Sequence, residues 1–443
     1  MMINTSQPRA ASLLVPLVLL VIAAGIGFFM TAPDYDWPGM LIVAAAISVL
    51  ALFLFPRFAR HPDSTIPIKV LIIGLILKLG FAMLRNWSAF ILYGGSADAA
   101  AYHNKGIQIS QAVWNLDFGE LGSYFTWGTR FIELFTGAVY SVTGPSILAG
   151  YLVFAFIAFL GSYYFYRAFR IAFPDGNKWL YIALIFFFPS ILYWPNGIGK
   201  DALIFFFLGL FAYGGARIMQ GHLWGLLAST IGLVGTLYIR PHIAVIVALS
   251  FAVAFLLPGA GKRPFRIVSF IITLAAVVAV AWLLLPQVAS FIGLEELSPQ
   301  GLLDRFQFQS GQTAQGGSAF QAIDITNPLN YPWALVTLLF RPFPWEAHNV
   351  LALIQSLEGV LLIGLVLWRI KSLGKAVVSS ISDRYLRFIV VYAIGFTIAF
   401  AIVANFGIIA RERVMFLPFV FMLISFTPFH VRSGNRTHKV TMS

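Results

Sequence analysis

Five short stretches of the chain gather ionisable side chains among apolar neighbours. They are "GGSADAAAYHNKG" (94–106), "PNGIGKDAL" (195–203), "YIRPH" (238–242), "LLFRPFPWEAHN" (338–349) and "ARERV" (410–414). Together they supply the cations Lys200, Arg240, Arg341, Arg411 and Arg413, the acids Asp98, Asp201, Glu346 and Glu412, and the imidazoles of His103, His242 and His348. Arginine offers phosphate a planar fork of donors, and lysine offers a point charge. A carboxylate beside a hydroxyl-bearing acceptor can take its proton while cations stabilise a departing phosphate. On this chemistry Asp98 is the candidate catalytic group. His103, Lys200, Asp201, Arg240, His242, Arg341, Glu346, His348, Arg411 and Arg413 are the candidate substrate-binding groups. Plainer roles also fit. Asp98 suits the N-cap of a helix starting near Ala99, and Asp201 suits the dipole of a helix start. Arg341, Glu346 and His348 could anchor an interfacial belt with Trp333 and Trp345.

The elements that must hold these groups are set by composition. The chain has 443 residues, of which 59% are apolar and 10% charged, against about a quarter charged in a soluble domain. Its mean hydropathy is +0.85. At about 1.5 Å per residue, each apolar window of 17–22 residues can cross a ~30 Å hydrocarbon layer as a helix. Strict apolar–polar alternation is absent, which argues against a transmembrane barrel. The expectation is an all-α polytopic protein of about twelve spans: 12–30, 39–55, 70–90, 146–166, 179–194, 202–219, 223–238, 243–258, 267–285, 347–368, 388–404 and 413–429.

Lys/Arg bias orients these spans. With both termini cytoplasmic, 19 of the 29 Lys and Arg residues fall on the inner face, against the acids Asp63, Asp175 and Asp383. The inner set includes Arg9, Arg57, Arg60, Lys69, Arg167, Arg170, Lys178 and Arg217. It continues through Lys262, Arg263 and Arg266, the 369–387 loop, and Arg432, Arg436 and Lys439. This sorting explains the basic net charge as topology plus attraction to anionic lipid, with no nucleic-acid partner implied. It also puts all five chemistry-bearing stretches at the outer boundary. A charge at hydrocarbon depth is costly, so their convergence on one side predicts a shared polar cavity that opens outward. In the third span Lys78 sits mid-membrane and should pair internally, while Arg85 could snorkel. The first apolar run is too long for a signal h-region and reads as a retained helix.

Two external segments interrupt the rhythm of helices and short loops in what otherwise reads as one membrane domain (1–443). In the first, 91–145, the stretch 128–144 carries Arg130 and Glu133 between glycines and reads as an interfacial or re-entrant helix. The second, 286–346, has a Gln/Gly/Ser-rich middle that reads as mobile and an aromatic, proline-rich end suited to the interface. Zero cysteines exclude disulfides and thiolate chemistry. No HExxH, glycine-rich phosphate loop or external Asp-x-Asp pair is present, apart from Asp34 and Asp36 in a short turn. A divalent cation between carboxylates is allowed by the residues but not required.

The "AD…YH" of the first external loop, the amphipathic stretch after it and "ARERVMFLPF" at the last span resemble the GT-C superfamily of polytopic glycosyltransferases. The outer Arg/His set and the later external loop are also similar to polysaccharide polymerases and O-antigen ligases. The resemblance implies a multi-pass plasma-membrane enzyme moving sugar from a polyprenyl-phosphate donor to a hydroxyl-bearing acceptor during envelope assembly. It implies an acceptor-activating role for Asp98 and donor-phosphate contacts for Arg411 and Arg413. The acidic motif follows the third span here, whereas in many GT-C enzymes it follows the first. The alternative is a transporter or flippase for a lipid-linked or amphipathic substrate, though no halves repeat and the charges gather at one face rather than the midplane.

Overall fold

The computed structural model describes residues 35–92, 94–95, 98–119, 121–257, 299–314, 318–324 and 327–428. The predicted spans 12–30 and 267–285, the inner-face bases Arg9, Lys262, Arg263, Arg266, Arg432, Arg436 and Lys439, and part of the second external segment lie outside them. The described chain is all-helical and has no strands; the sole bridge pairs Ala319 with Asn405. Helices α1 (Asp36–Arg60) and α2 (Ile68–Trp87) come first, and a π-turn (Ser88–Leu92) extends α2. A helical hairpin, α3 (Asp98–Trp114) and α4 (Thr129–Thr143), follows. The centre of the molecule is built by α5 (Ile147–Ala172), α6 (Lys178–Phe187), α7 (Pro189–Tyr193), α8 (Lys200–Met219), α9 (Gly225–Ile239) and α10 (Pro241–Leu256). After α11 (Pro299–Thr313) come α12 (Tyr331–Phe340), α13 (Val350–Trp368), α14 (Ile370–Ser379), α15 (Arg384–Phe400), α16 (Phe406–Glu412) and α17 (Leu417–Ser425).

Four of these helices are long and apolar enough to cross a membrane: α1, α5, α8 and α13. The α6–α7 pair makes a fifth if its 47° bend is counted within one span. The spans predicted at 223–238 and 243–258 are helices of 15 and 16 residues, about 23 Å long at the usual rise. The run predicted as a single last span, 413–429, opens with a 3-10 turn at Arg413–Met415 and continues as the nine-residue α17. Apolar runs in the sequence ignore such breaks, which Pro189, Pro195 and the Asn405 cap impose.

The interior is packed with aromatic rings. Phe165 meets Phe205 and Phe419 edge-on or tilted, and Phe388, Tyr392 and Phe396 continue the stack. Backbones approach closely where side chains vanish, as small residues allow between apolar helices. A Cβ on Gly209 would lie 2.6 Å from the Gly161 carbonyl oxygen, and one on Gly232 2.5 Å from the Phe211 nitrogen. These two contacts clamp α8 between α5 and α9, which fixes where α8 begins.

The molecule's two ends carry different polar clusters. At one end, Asp63 accepts from both Arg167 and Arg217, Arg369 donates to the carbonyls of Ile424 and Phe426, and the Asn177 amide donates to Ser425. At the other end lie the N-termini of α3 and α8, the α9–α10 corner, the end of α16 and the end of α2. Residues 318–324 of the second external segment, expected to be mobile, dock onto that end. Phe320 stacks on Phe406 with centroids 4.6 Å apart, and its amide donates to Ala404.

Candidate functional site

Each charged side chain at the second end is delivered by a helix terminus. Asp98 opens α3 and is exposed. Lys200 and Asp201 open α8 after Gly197-Ile198-Gly199, and Asp201 is buried there. Arg240 sits at the corner where α9 stops and Pro241, at the first position of α10, starts the next helix. Arg411 and Glu412 close α16, whose start is fixed by the Asn405 side chain accepting from the amides of Gly407 and Ile408.

These groups form one connected ion network. Arg411 Nε donates to Asp201 Oδ2 at 2.5 Å, and its Nη1 reaches Asp98 Oδ2 at 3.4 Å. Arg240 Nη2 lies 3.5 Å from Asp201 Oδ1, and Nη1 donates to Glu412. The chain of contacts therefore runs Asp98–Arg411–Asp201–Arg240–Glu412. Asp201 beside Arg411 pushes its already high pKa further up against the cost of burial, so it stays a cation. Burial, then the charge of Asp98, holds the Tyr102 phenol up at about 12, so it remains neutral. Asp98 is the exposed end of the network, with 64% of its side chain accessible, against 10% for Asp201 and 8% for Glu412.

A cavity of about 200 Å³ opens beside this network. Asp98, Asp201 and Arg411 line it together with Arg85, Tyr151, Trp194 and the Gly197–Gly199 loop. The place of Arg85 in this lining was not expected from the sequence, where it read only as a charge near a span end. Its signal was "YWPNG" (193–197), where two aromatics and a proline break the chain one helix away from that arginine.

The remaining predicted residues sit elsewhere. Lys200 lies in the electrostatic range of Asp98, Asp201, Arg240 and Arg411 without lining the cavity. His242, half-buried on α10, neighbours Arg240 and Lys200. His103 is turned toward Tyr140 on α4, with Nδ1 2.7 Å from the phenol oxygen. Burial lowers its pKa, with Asp36 opposing. Arg341 and Glu346 make a two-pronged pair, Nε to Oε1 at 2.9 Å and Nη2 to Oε1 at 2.5 Å, with the guanidinium 4.4 Å from the Phe320 ring centroid. His348 is exposed beside them. Arg413 is 1% exposed and points away from the cavity. It donates to the Leu339 and Arg341 carbonyls and faces Glu358 of α13 at 3.5 Å. Glu358 in turn accepts from Ser190 at the α6–α7 break. Lys78 has the internal partner expected of it, the Ile191 carbonyl of α7.

Among the described residues no three His, Asp or Glu side chains cluster as a metal would need. What the arrangement offers is one accessible carboxylate held by a fixed cation, beside a cavity that a second arginine, Arg85, also lines. No protein-family model, curated protein or solved structure matches the chain.

Proposed function

We propose that this chain is an integral membrane glycosyltransferase that moves sugar from a polyprenyl-phosphate donor to a hydroxyl-bearing acceptor at the outer membrane face. The observation that carries the reading is the accessible Asp98 at the end of the Asp98–Arg411–Asp201–Arg240–Glu412 network, on the wall of the cavity. Asp98 takes the acceptor hydroxyl's proton as the acceptor oxygen bonds to the sugar's anomeric carbon. The anomeric carbon–oxygen bond to phosphate breaks, and its electron pair leaves with the phosphate. Arg411, fixed on its other side by buried Asp201, keeps the carboxylate aimed without moving during the reaction. Contacts between distant segments support the orientation. Asp63, Arg167 and Arg217, all assigned to the inner face, meet one another, and the outer-face groups meet at the opposite end.

The test is transfer of radiolabelled sugar in membranes containing the chain or its Asp98→Asn variant. The variant is expected to fold normally and to lose about 10²–10⁴-fold in rate, the usual worth of a positioned base. A native rate in a folded variant would remove the base and with it the mechanism. A lipid-linked substrate transporter is the second reading, favoured by the 47° break between α6 and α7. It predicts movement of lipid-linked sugar across liposomes with no sugar transferred.

A further inference from the structure

Four charged side chains line the cavity: Arg85, Asp98, Asp201 and Arg411. Three of them are paired with one another, because Arg411 bridges both aspartates. Arg85 is different. Its Nη1 donates to the Tyr193 hydroxyl at 3.2 Å, and its guanidinium carbon lies 4.9 Å and 4.7 Å from the Tyr193 and Trp194 ring centroids. Among the described residues no carboxylate stands within 4 Å of it. A guanidinium has five N–H donors, so most of this fork is unspent. Tyr193 is itself held by Ser88 at 2.8 Å, in the π-turn that follows Arg85 on the same helix. The cation is thus posed against two rings, with its polar edge free and no counter-ion of its own.

We infer that Arg85 is the residue that receives the anionic group of the ligand, a phosphate ester, in this cavity. Arg411 and Arg413, the arginines that the family resemblance singles out for this contact, already answer carboxylates of the protein. Arg85 also stands where an apolar tail has somewhere to go. Leu84, Trp87, Ile91 and Leu92, near it in sequence on α2 and the π-turn, are exposed large apolar side chains. A phosphate with a prenyl tail fits that pairing of free guanidinium and greasy helix face, whereas free phosphate would use only the first. The inference rests on the donor-site reading of the cavity and names the group that holds the donor.

The test uses the full chain in detergent with farnesyl phosphate, farnesol and inorganic phosphate as probes, read by calorimetric binding. Wild type should bind farnesyl phosphate at least tenfold more tightly than farnesol. Arg85→Gln should lose at least tenfold of that affinity, and Arg85→Lys should lose less, since it keeps the charge without the fork. Arg57→Gln, a change at the other end of the molecule, should match wild type. Where Arg85→Gln does not purify as a single species, wild type still decides the matter. Farnesyl phosphate, and not farnesol, should protect Arg85 from an arginine-directed dicarbonyl reagent in peptide mass spectra. Equal protection by inorganic phosphate assigns the site to the free anion; protection that needs the prenyl ester assigns it to the lipid. Tight farnesyl phosphate binding that Arg85→Gln leaves untouched overturns the role of Arg85 while sparing the transferase reading. Equal binding of farnesyl phosphate and farnesol overturns both.

Discussion

Asp98 and Glu412 are both carboxylates on arginines, yet their surroundings make them different chemical objects. Asp98 is mostly exposed, so its pairing with Arg411 is worth little to the fold, at most about 1 kcal/mol. Glu412 is buried against Arg240, and removing one partner of a buried pair typically costs about 3–5 kcal/mol because the other charge is left uncompensated. Glu412→Gln is therefore expected to lower the unfolding midpoint in detergent sharply, while Asp98→Asn leaves it near wild type and affects transfer alone. Equal midpoints for the two variants would mean that the network does not brace the rim. This division was half legible in the sequence. "ARERV" announces clustered charge, but the residue types cannot say that Arg411 turns to Asp98 and Asp201, Glu412 to Arg240 and Arg413 to Glu358. Three consecutive residues on a helix end point in three directions, and the partners come from 55 to 313 positions away.

Helix termini, more than helix faces, build the site. The sequence marks several of them openly: Pro241 after Arg240, Asn405 before α16, and the Pro189 and Pro195 breaks. It marks the first external segment less well, where 128–144 is indeed a helix but its packing against α3 depends on glycines that no apolar pattern reveals. A Cβ on Gly137 would lie 2.3 Å from Ile109 Cγ2, so the α4 backbone at Gly137 packs directly on the Ile109 side chain of α3. His103 fastens the same pair through Tyr140. Burial depresses the folded-state pKa of His103, so the unfolded chain binds the proton first as pH falls. Its stabilising contribution is complete above the ordinary histidine pKa of about 6.5 and is lost as pH drops through the lower folded value. The unfolding midpoint should fall between pH 7 and pH 5 by more in wild type than in His103→Gln. Identical slopes would show that the imidazole is not what couples the two helices.

For the molecule as a whole, the hydrophobic content and the basic-residue sorting were plain in the sequence, while the number of crossings was not. Apolar runs of similar length become the 26-residue α5 in one place and the nine-residue α17 in another, because breaks and caps lie inside them. Orientation can be checked directly, since the chain has no cysteine of its own. A cysteine at Asp117, between α3 and α4, should react with an impermeant thiol reagent from outside intact cells. One at Ser382, between α14 and α15, should react only after permeabilisation. The reverse pattern would invert every assignment of face. One further contact ties depth to geometry. Lys78 caps the α7 carbonyl at Ile191, and Asn196 donates back to the Lys78 carbonyl. Arg85 stands two turns above Lys78 on the same helix, about 10 Å higher. Arg85 and Trp194 of the pocket are consequently tied to a common anchor at Lys78, so a bound headgroup is gauged from a fixed datum, as a rule is read from its zero mark.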